Sequence, residues 1–259
     1  MTLTTIRGYT LTRNLRFDGS NPYLGISPDG LPVFIRLSAA PIPNPSAAEA
    51  VLQFLRRYRQ LDHPSLIRIR DWWIEEGYLR MVTDLADGGS LKDRLRQQRS
   101  FASRDLVSLL RPLGAAIDFL HSQGIRHRDI RPTNLLLHRA VPQLDVPRLQ
   151  SIRFANFVYP SYSAPEVVRN EDAQQSDQYS LAAAYVELRL GRPIFSTLRN
   201  DGVSTIRALL EQEPDLEPLP EGEREAVRKA LAKDSAQRYA TCLTFVEALE
   251  RSTEPPEAS

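Results

Sequence analysis

Short alternating segments dominate the first third of the chain. Residues 9–37 alternate between apolar and polar positions, with the turn sequences DGSNP and SPDG between the alternating runs. This pattern is typical of short β-strands joined by tight turns. The run LPVFIRL at 31–37 is almost continuously apolar and predicts a central strand, and two further strand-like segments follow at 66–73 and 78–85.

One segment among these strands has helical periodicity, and most of the second part of the chain has it as well. Residues 46–61 place apolar side chains on one helical face, and Ser46 is the predicted N-cap. From the sequence ADGGSL at 86–91 onward, the chain is mostly helical. The predicted helices there are 90–97, 103–123, 176–190, 203–212, 222–232 and 241–251.

This order of elements predicts an α+β, bilobal fold. The first lobe, over 1–85, is small and β-rich with one main helix, and the second, over 86–251, is larger and mostly helical. Residues 252–259 are polar and contain two prolines, so we expect a disordered tail.

Composition and charge mainly exclude certain classes of protein. The chain has 259 residues, is 42% hydrophobic and carries a formal net charge of +1, which gives no long-range attraction to nucleic acid or anionic membranes. Cys242 is the only cysteine, so no intrachain disulfide can form and a reducing compartment fits. No apolar run reaches the ~20 residues that a membrane-spanning helix needs. We therefore expect a cytoplasmic protein without a membrane segment or a nucleic-acid partner.

Several motifs in the second half of the chain occur in one characteristic order. They are HRDIRPTN at 127–134, SAPE at 163–166, SDQYSL at 176–181, GRPIF at 191–195 and AKDSAQRYAT at 232–241. In this order and spacing they give a chain that resembles the eukaryotic-type (Hanks-type) protein kinases, most closely the bacterial Ser/Thr kinases. The resemblance covers roughly residues 9–250 and implies a catalytic cleft between the two lobes.

The resemblance assigns catalytic and metal-binding positions residue by residue. It places Asp129 at the catalytic base, Arg131 where Ser/Thr kinases usually have lysine, and Asn134 at a second metal ligand. The principal metal position falls on Asn156, in place of the aspartate of Asp-Phe-Gly. Because a neutral amide is a poor substitute for a carboxylate at Mg²⁺, we expect this metal site to be weak or non-functional. In the alternative, Asp129 and Asn134 remain only as hydrogen-bonding partners that shape the loop.

The nucleotide-binding positions also depart from the family. Arg36 replaces the phosphate-clamping lysine, and Phe54 replaces its glutamate partner on the helix. Phe34 stands where a small alanine normally lies against adenine, so its ring either blocks the pocket or turns into the core of the small lobe. The three positions of the glycine-rich loop become Arg16, Asp18 and Asn21. The expected degenerate pocket is lined by Tyr23, Phe34, Arg36, Thr83 and Leu136.

The positions that join and brace the lobes are retained. The resemblance implies a stack of side chains between the lobes, a buried ion pair and a carboxylate that supports the catalytic loop. The stack consists of Tyr58, Ile69, His127 and Phe157, the ion pair of Glu166 and Arg238, and the supporting carboxylate is Asp177. The segment from Asn156 to Glu166 is too short for a regulatory loop and a peptide platform together.

Two functional hypotheses arise from this selective loss. The leading hypothesis is a pseudokinase that needs no cofactor and acts as an interaction or allosteric module, with a protein partner on the helix at 46–60 or on the second lobe. The alternative is a divergent active Ser/Thr kinase that uses ATP and Mg²⁺, with Asp129 as base. A small-molecule kinase is a third hypothesis, which the SAPE and SDQYSL motifs disfavour.

Overall fold

The computed structural model describes residues 5–15, 22–38, 40–147, 159–171, 173–195 and 202–253. The glycine-loop positions and the predicted site residues Asn156 and Phe157 lie outside these ranges.

The N-terminal lobe is built on a six-stranded antiparallel sheet. Its strands are β1 Thr5–Ile6, β2 Tyr9–Asn14, β3 Tyr23–Ile26, β4 Pro32–Leu37, β5 Ile69–Glu75 and β6 Tyr78–Asp84, in the order β1-β2-β3-β4-β6-β5. As predicted from its apolar run, β4 is an interior strand. One face of the sheet forms a small apolar core from Tyr9, Val33, Ile35, Trp73 and Val82.

Helix α1, Pro45–Arg59, buries Val51, Leu55 and Tyr58. The prediction of Ser46 as its N-cap is wrong, because the cap is Asn44, whose side-chain oxygen accepts a hydrogen bond from the Ala47 amide at 2.8 Å. Pro45 takes the first helical position, where its fixed φ favours the helix and its missing N–H costs no hydrogen bond.

The second lobe is mainly helical, which confirms the α+β bilobal fold. Its helices are α2 Leu91–Gln98, α3 Ser103–Ser122, α4 Pro165–Val168, α5 Ser176–Leu190, α6 Gly202–Glu211, α7 Glu221–Ala230 and α8 Cys242–Thr253. Ser252 and Thr253 thus belong to α8, although the sequence predicted them in the tail.

A two-stranded hairpin, β7 Leu135–His138 and β8 Val141–Leu144, was not predicted. Its turn residues Arg139 and Ala140 both have positive φ, 49° and 66°. Such turns normally carry Asn-Gly or Asp-Gly, so the sequence lacks the usual hairpin signal. The hairpin matters because it brings the residue directly after β8 back to the loop that precedes β7.

Helix α5 is the centre of the second lobe. It is buried from Ser176 to Leu188 on every face, as expected for a helix surrounded by others. A continuous apolar core joins α5 and α3 to α1 and β5 of the first lobe. The residues between the lobes are therefore held by packed side chains on both sides.

Candidate active site

The loop 127–134, between α3 and β7, is supported from below by Asp177 at the start of α5. The Asp177 carboxylate accepts hydrogen bonds from the backbone amides of His127 at 2.8 Å and Arg128 at 2.7 Å, and lies 2.8 Å from His121 Nε2. Arg128 has a φ of 59°, a conformation that costs energy for a residue with a side chain. The two hydrogen bonds from these backbone amides to Asp177 therefore stabilise a strained turn.

The pKa of Asp177 reflects this role. Burial by itself would raise the pKa, but His121 and the backbone donors hold it below its ordinary value. The carboxylate consequently stays ionised while it is almost completely enclosed.

Three residues predicted for catalysis lie together on this loop. Arg131 Nε is 2.9 Å from Asp129 Oδ1, and the Asn134 side-chain amide donates to the Asp129 carbonyl oxygen at 2.8 Å. The Arg131 guanidinium also lies 4.0 Å from the centre of the Tyr159 ring. The chain just before α4 therefore passes over the predicted base.

Asp145, the residue directly after β8, is the part of the site that sequence reasoning missed. Its amide donates to the Asn134 carbonyl oxygen at 2.9 Å, and its own carbonyl oxygen accepts a hydrogen bond from His127 Nε2 at 2.7 Å. Its carboxylate forms an ion pair with Arg36. Within the described residues, an acidic side chain therefore stands beside Asn134, at the place that the resemblance gave to Asn156.

Arg36 and Phe34 share one face of β4. Because side chains alternate along a strand, Val33 and Ile35 enter the small core while Phe34 and Arg36 point to the opposite face. The Arg36 guanidinium lies 5.0 Å from the centre of the Phe34 ring, and Phe34 is a member of neither apolar core. The alternative in which this ring enters the core of the small lobe is therefore wrong.

Helix α1 offers Arg36 no carboxylate in the described structure. Glu49 pairs with Arg56 at 3.2 Å on the exposed side of the helix. Phe54, at the position expected for glutamate, packs against Tyr58 with ring centres 5.9 Å apart. Asp145 replaces the helix glutamate as the partner of Arg36.

Buried hydroxyls without hydrogen-bond partners lie behind this ion pair. Tyr58 and Thr83 are 3% and 0% exposed, and their hydroxyl oxygens have no hydrogen-bond partner in the described residues. Burial raises the pKa of Tyr58, and the negative charge of Asp145 raises it further. Thr83 is the cross-strand neighbour of both Phe34 and Ile69, so this predicted pocket residue lies on the cleft face.

The predicted pocket residue Tyr23 lies elsewhere. It pairs with Ile35 across β3 and β4 and packs against the small core, so its assignment to the pocket is wrong. Leu24 is the residue opposite Phe34, and a difference of one position exchanges the faces of a strand. Leu136, in β7, is partly buried and forms a bridge with Ser90.

The scaffold contacts of the second lobe are well formed. Arg238 donates to both carboxylate oxygens of Glu166, at 2.7 and 2.8 Å, and Ser176 donates to the same carboxylate at 2.7 Å. Burial would raise the pKa of Glu166, but these donors hold it below its ordinary value. Tyr58, Ile69 and His127, from the predicted inter-lobe stack, are all buried.

The described residues fit Mg²⁺–ATP poorly. Asn134 and Asp145 are chemically suitable for Mg²⁺, but Arg36 already neutralises Asp145 and the Phe34 ring lies on the face where adenine would pack. Among the described residues, no group of three or more His, Cys, Asp or Glu side chains could hold a metal ion. No described helix combines the length and apolar character needed to cross a membrane.

The protein kinase domain family model matches residues 43–251, which span the second lobe and the part of the first lobe from α1 onward. The chain belongs to the protein kinase family. This membership explains why the catalytic loop, the ion pair of Glu166 with Arg238 and the supporting Asp177 occur together.

Individual protein kinases are similar to this chain in sequence. The chain is 31% identical over 163 residues to human ribosomal protein S6 kinase alpha-6, covering 58% of this chain but 22% of that protein. It is 27% identical over 240 residues to the calcium/calmodulin-dependent protein kinase type I of Schizosaccharomyces pombe, covering 83% and 70% of the two chains. It therefore spans only part of the length of these kinases.

Solved kinase structures agree on the fold. The crystal structure of the Mycobacterium tuberculosis PknI kinase domain aligns over 96% of both chains with a TM-score of 0.79 and 22% identity. The structure of Rad53 in complex with AMP-PNP aligns over 93% of this chain and 65% of that one, with a TM-score of 0.79 and 18% identity. At these identities the similarity concerns the fold alone.

Proposed function

We propose that this kinase domain is a pseudokinase of the bacterial Ser/Thr type, which acts as an interaction or allosteric module and needs neither ATP nor Mg²⁺. The observation that carries the proposal is the Arg36–Asp145 ion pair above the Phe34 ring. In an active kinase, the lysine of β4 clamps phosphates and the aspartate after β8 binds metal. Here the two positions neutralise each other.

The size of the Phe34 side chain supports the same proposal. A phenylalanine ring on the cleft face of β4 occupies space that an alanine would leave open to adenine. Arginine is also a poor substitute for lysine where a compact charge must fit. Proteins would be the partners of such a module, through exposed surfaces of α1 or of the second lobe, and the single buried cysteine fits a reducing, cytoplasmic setting.

A divergent active Ser/Thr kinase is the second candidate, and Asp145 is the observation that favours it. With Asp129 and Asn134 on the loop and Asp145 after β8, the described residues contain a base and two oxygen ligands in the family's order. If Arg36 released Asp145, the Asp145 carboxylate would be available to bind Mg²⁺.

A phosphoryl-transfer assay separates the two candidates. The protein is incubated with γ-labelled ATP, Mg²⁺ and a generic basic protein substrate, beside an Asp129→Asn variant. The pseudokinase proposal predicts no transfer above background in either protein. Transfer by the wild type that disappears in Asp129→Asn would overturn the proposal and establish the active kinase.

A further inference from the structure

A pocket of about 280 Å³ opens at the edge of the N-terminal sheet, where β5 begins. Its polar lining consists of Tyr9, Ser27, Asp29, Arg59, Arg68 and Arg70, and Ile69 supplies apolar surface. Three arginines against one carboxylate is an unusual lining in a protein whose net charge is only +1.

Two of these arginines are held in position by neighbouring side chains. The Arg70 guanidinium is paired with Asp84 and lies 3.5 Å from Asp29. The Arg59 guanidinium lies 5.4 Å from the centre of the Trp72 ring. Preorganised guanidinium groups lose less conformational entropy when a ligand binds.

Two of the three arginines have no carboxylate partner in the described residues. Asp84 and Asp29 offset Arg70, and Asp29 is further held by a hydrogen bond from Ser27. Arg59 and Arg68 form no ion pair with any carboxylate in the described residues. Because Asp29 and Asp84 offset two of the three arginine charges, a phosphate monoester, whose charge is close to −2 at neutral pH, would be recognised through direct contacts with Arg59 and Arg68 and not by the net charge of the pocket.

Hydrogen-bonding capacity points to the same ligand. Guanidinium groups recognise phosphate oxygens through paired N–H donors, and the arginines are the donors available here, because the hydroxyl groups of Tyr9 and Ser27 already donate to Asp71 and Asp29. The pocket is slightly smaller than the roughly 300–1,000 Å³ typical of small-molecule sites. Its size is therefore better matched to one phosphorylated side chain than to a nucleotide.

We propose that this pocket binds a phosphate monoester, and that the natural ligand is the phosphorylated side chain of a partner protein. The proposal goes beyond the pseudokinase assignment and does not depend on it, because none of the three arginines contacts Asp129, Asn134 or Asp145. It would give the domain a means of recognising phosphorylated proteins whether or not it transfers phosphate itself.

The test is a titration followed by tryptophan fluorescence, since Trp72 lies beside Arg59. The ligands are N-acetyl-O-phosphoserine N-methylamide, its unphosphorylated counterpart and inorganic phosphate. The tested variant is Arg68→Gln, whose exposed side chain makes no ion pair in the described residues, so the fold should be retained. Arg56→Gln is the matched control, because Arg56 is exposed on α1 and pairs with Glu49 instead of lining the pocket.

The proposal predicts saturable binding of the phosphoserine compound, no binding of the unphosphorylated one, and an affinity about tenfold lower in Arg68→Gln, as expected for one lost charge-assisted hydrogen bond. Arg56→Gln should bind like the wild type. Equal binding by Arg68→Gln and the wild type, equal losses in both variants, or no binding to the wild type would overturn the site. Binding of inorganic phosphate alone would overturn the assignment to a phosphorylated side chain.

Calorimetry with Arg59→Gln gives an independent check, because that substitution could alter Trp72 fluorescence directly. The expected result is again an affinity about tenfold lower, with an unchanged melting temperature. An unchanged affinity would contradict the role of Arg59 in the site.

Discussion

Buried polar groups in the N-terminal lobe differ from those in the second lobe in how many hydrogen bonds they form. Below the loop, Asp177 and Glu166 are buried and each carboxylate accepts hydrogen bonds from several donors. In the N-terminal lobe, the hydroxyls of Tyr58 on α1 and Thr83 on β6 are buried without hydrogen-bond partners in the described residues. The pseudokinase proposal predicts such a difference, because it requires the contacts that stabilise the kinase fold and does not require those that hold a nucleotide.

The buried ion pair gives the largest expected effect. In Arg238→Met, the Glu166 carboxylate would lose its bidentate partner inside the second lobe, and breaking such a pair on one side costs about 3–5 kcal/mol. Arg207→Met is the control, because Arg207 and Glu211 form an exposed pair on α6 worth at most about 0.5 kcal/mol. Urea unfolding of both variants measures the contrast, and equal losses would contradict the structural role given to Glu166 and Arg238.

The catalytic-loop support gives the next largest effect. Asp177→Asn removes the charge that accepts bonds from His127 and Arg128, and a cost of about 2 kcal/mol is expected for hydrogen bonds to a charged group. The loss should appear in the free energy of unfolding at neutral pH. A variant as stable as the wild type would show that the strained Arg128 turn does not depend on Asp177.

The pH dependence of stability sharpens the same point. The folded-state pKa values of Asp177 and Glu166 are held below their ordinary values of 3.8 and 4.5. A group with a lowered folded pKa contributes stability above its unfolded pKa and loses it as the pH falls through the folded value. Stability should therefore decline below about pH 4.5, and more shallowly in Asp177→Asn. The same acid slope in both proteins would rule out a contribution from Asp177.

Two buried tyrosines offer a smaller and more direct test of the contrast. The Tyr58 hydroxyl has no hydrogen-bond partner in the described residues, whereas the Tyr185 hydroxyl donates to Glu223 at 2.6 Å. Tyr58→Phe should be neutral or stabilise the fold by up to about 1 kcal/mol, because it removes a desolvated hydroxyl, and Tyr185→Phe should cost about 1 kcal/mol or more. Thermal unfolding of the pair checks this, and a larger loss for Tyr58→Phe would contradict it.

The sequence predicted the fold well because its helices are long and are separated by loops that contain glycine and proline. Residues 103–123 and 176–190, for example, were expected to be helical and match α3 and α5 within a residue at each end. The motifs also led to Asp129, Asn134 and Asp177, because each lies at a fixed spacing within a short loop or at the start of a helix.

The misses have local physical causes. Asp145 was overlooked because Arg139 and Ala140 form a tight turn without glycine or asparagine, which concealed the hairpin before it. Tyr23 was assigned to the wrong face because alternation within a four-residue strand cannot fix its register. The Arg36–Asp145 pair joins residues from different lobes, so no local pattern could predict it.

The most direct test of the central claim is thermal denaturation with and without ATP and Mg²⁺. A ligand at 100 times its Kd adds about 2.7 kcal/mol to the free energy of unfolding, which would raise the midpoint clearly. If the cleft is closed by Phe34 and by the Arg36–Asp145 pair, the wild-type midpoint stays unchanged, and Phe34→Ala, which reopens the adenine face, gains a shift. A clear Mg²⁺-dependent rise in the wild-type midpoint would contradict the account.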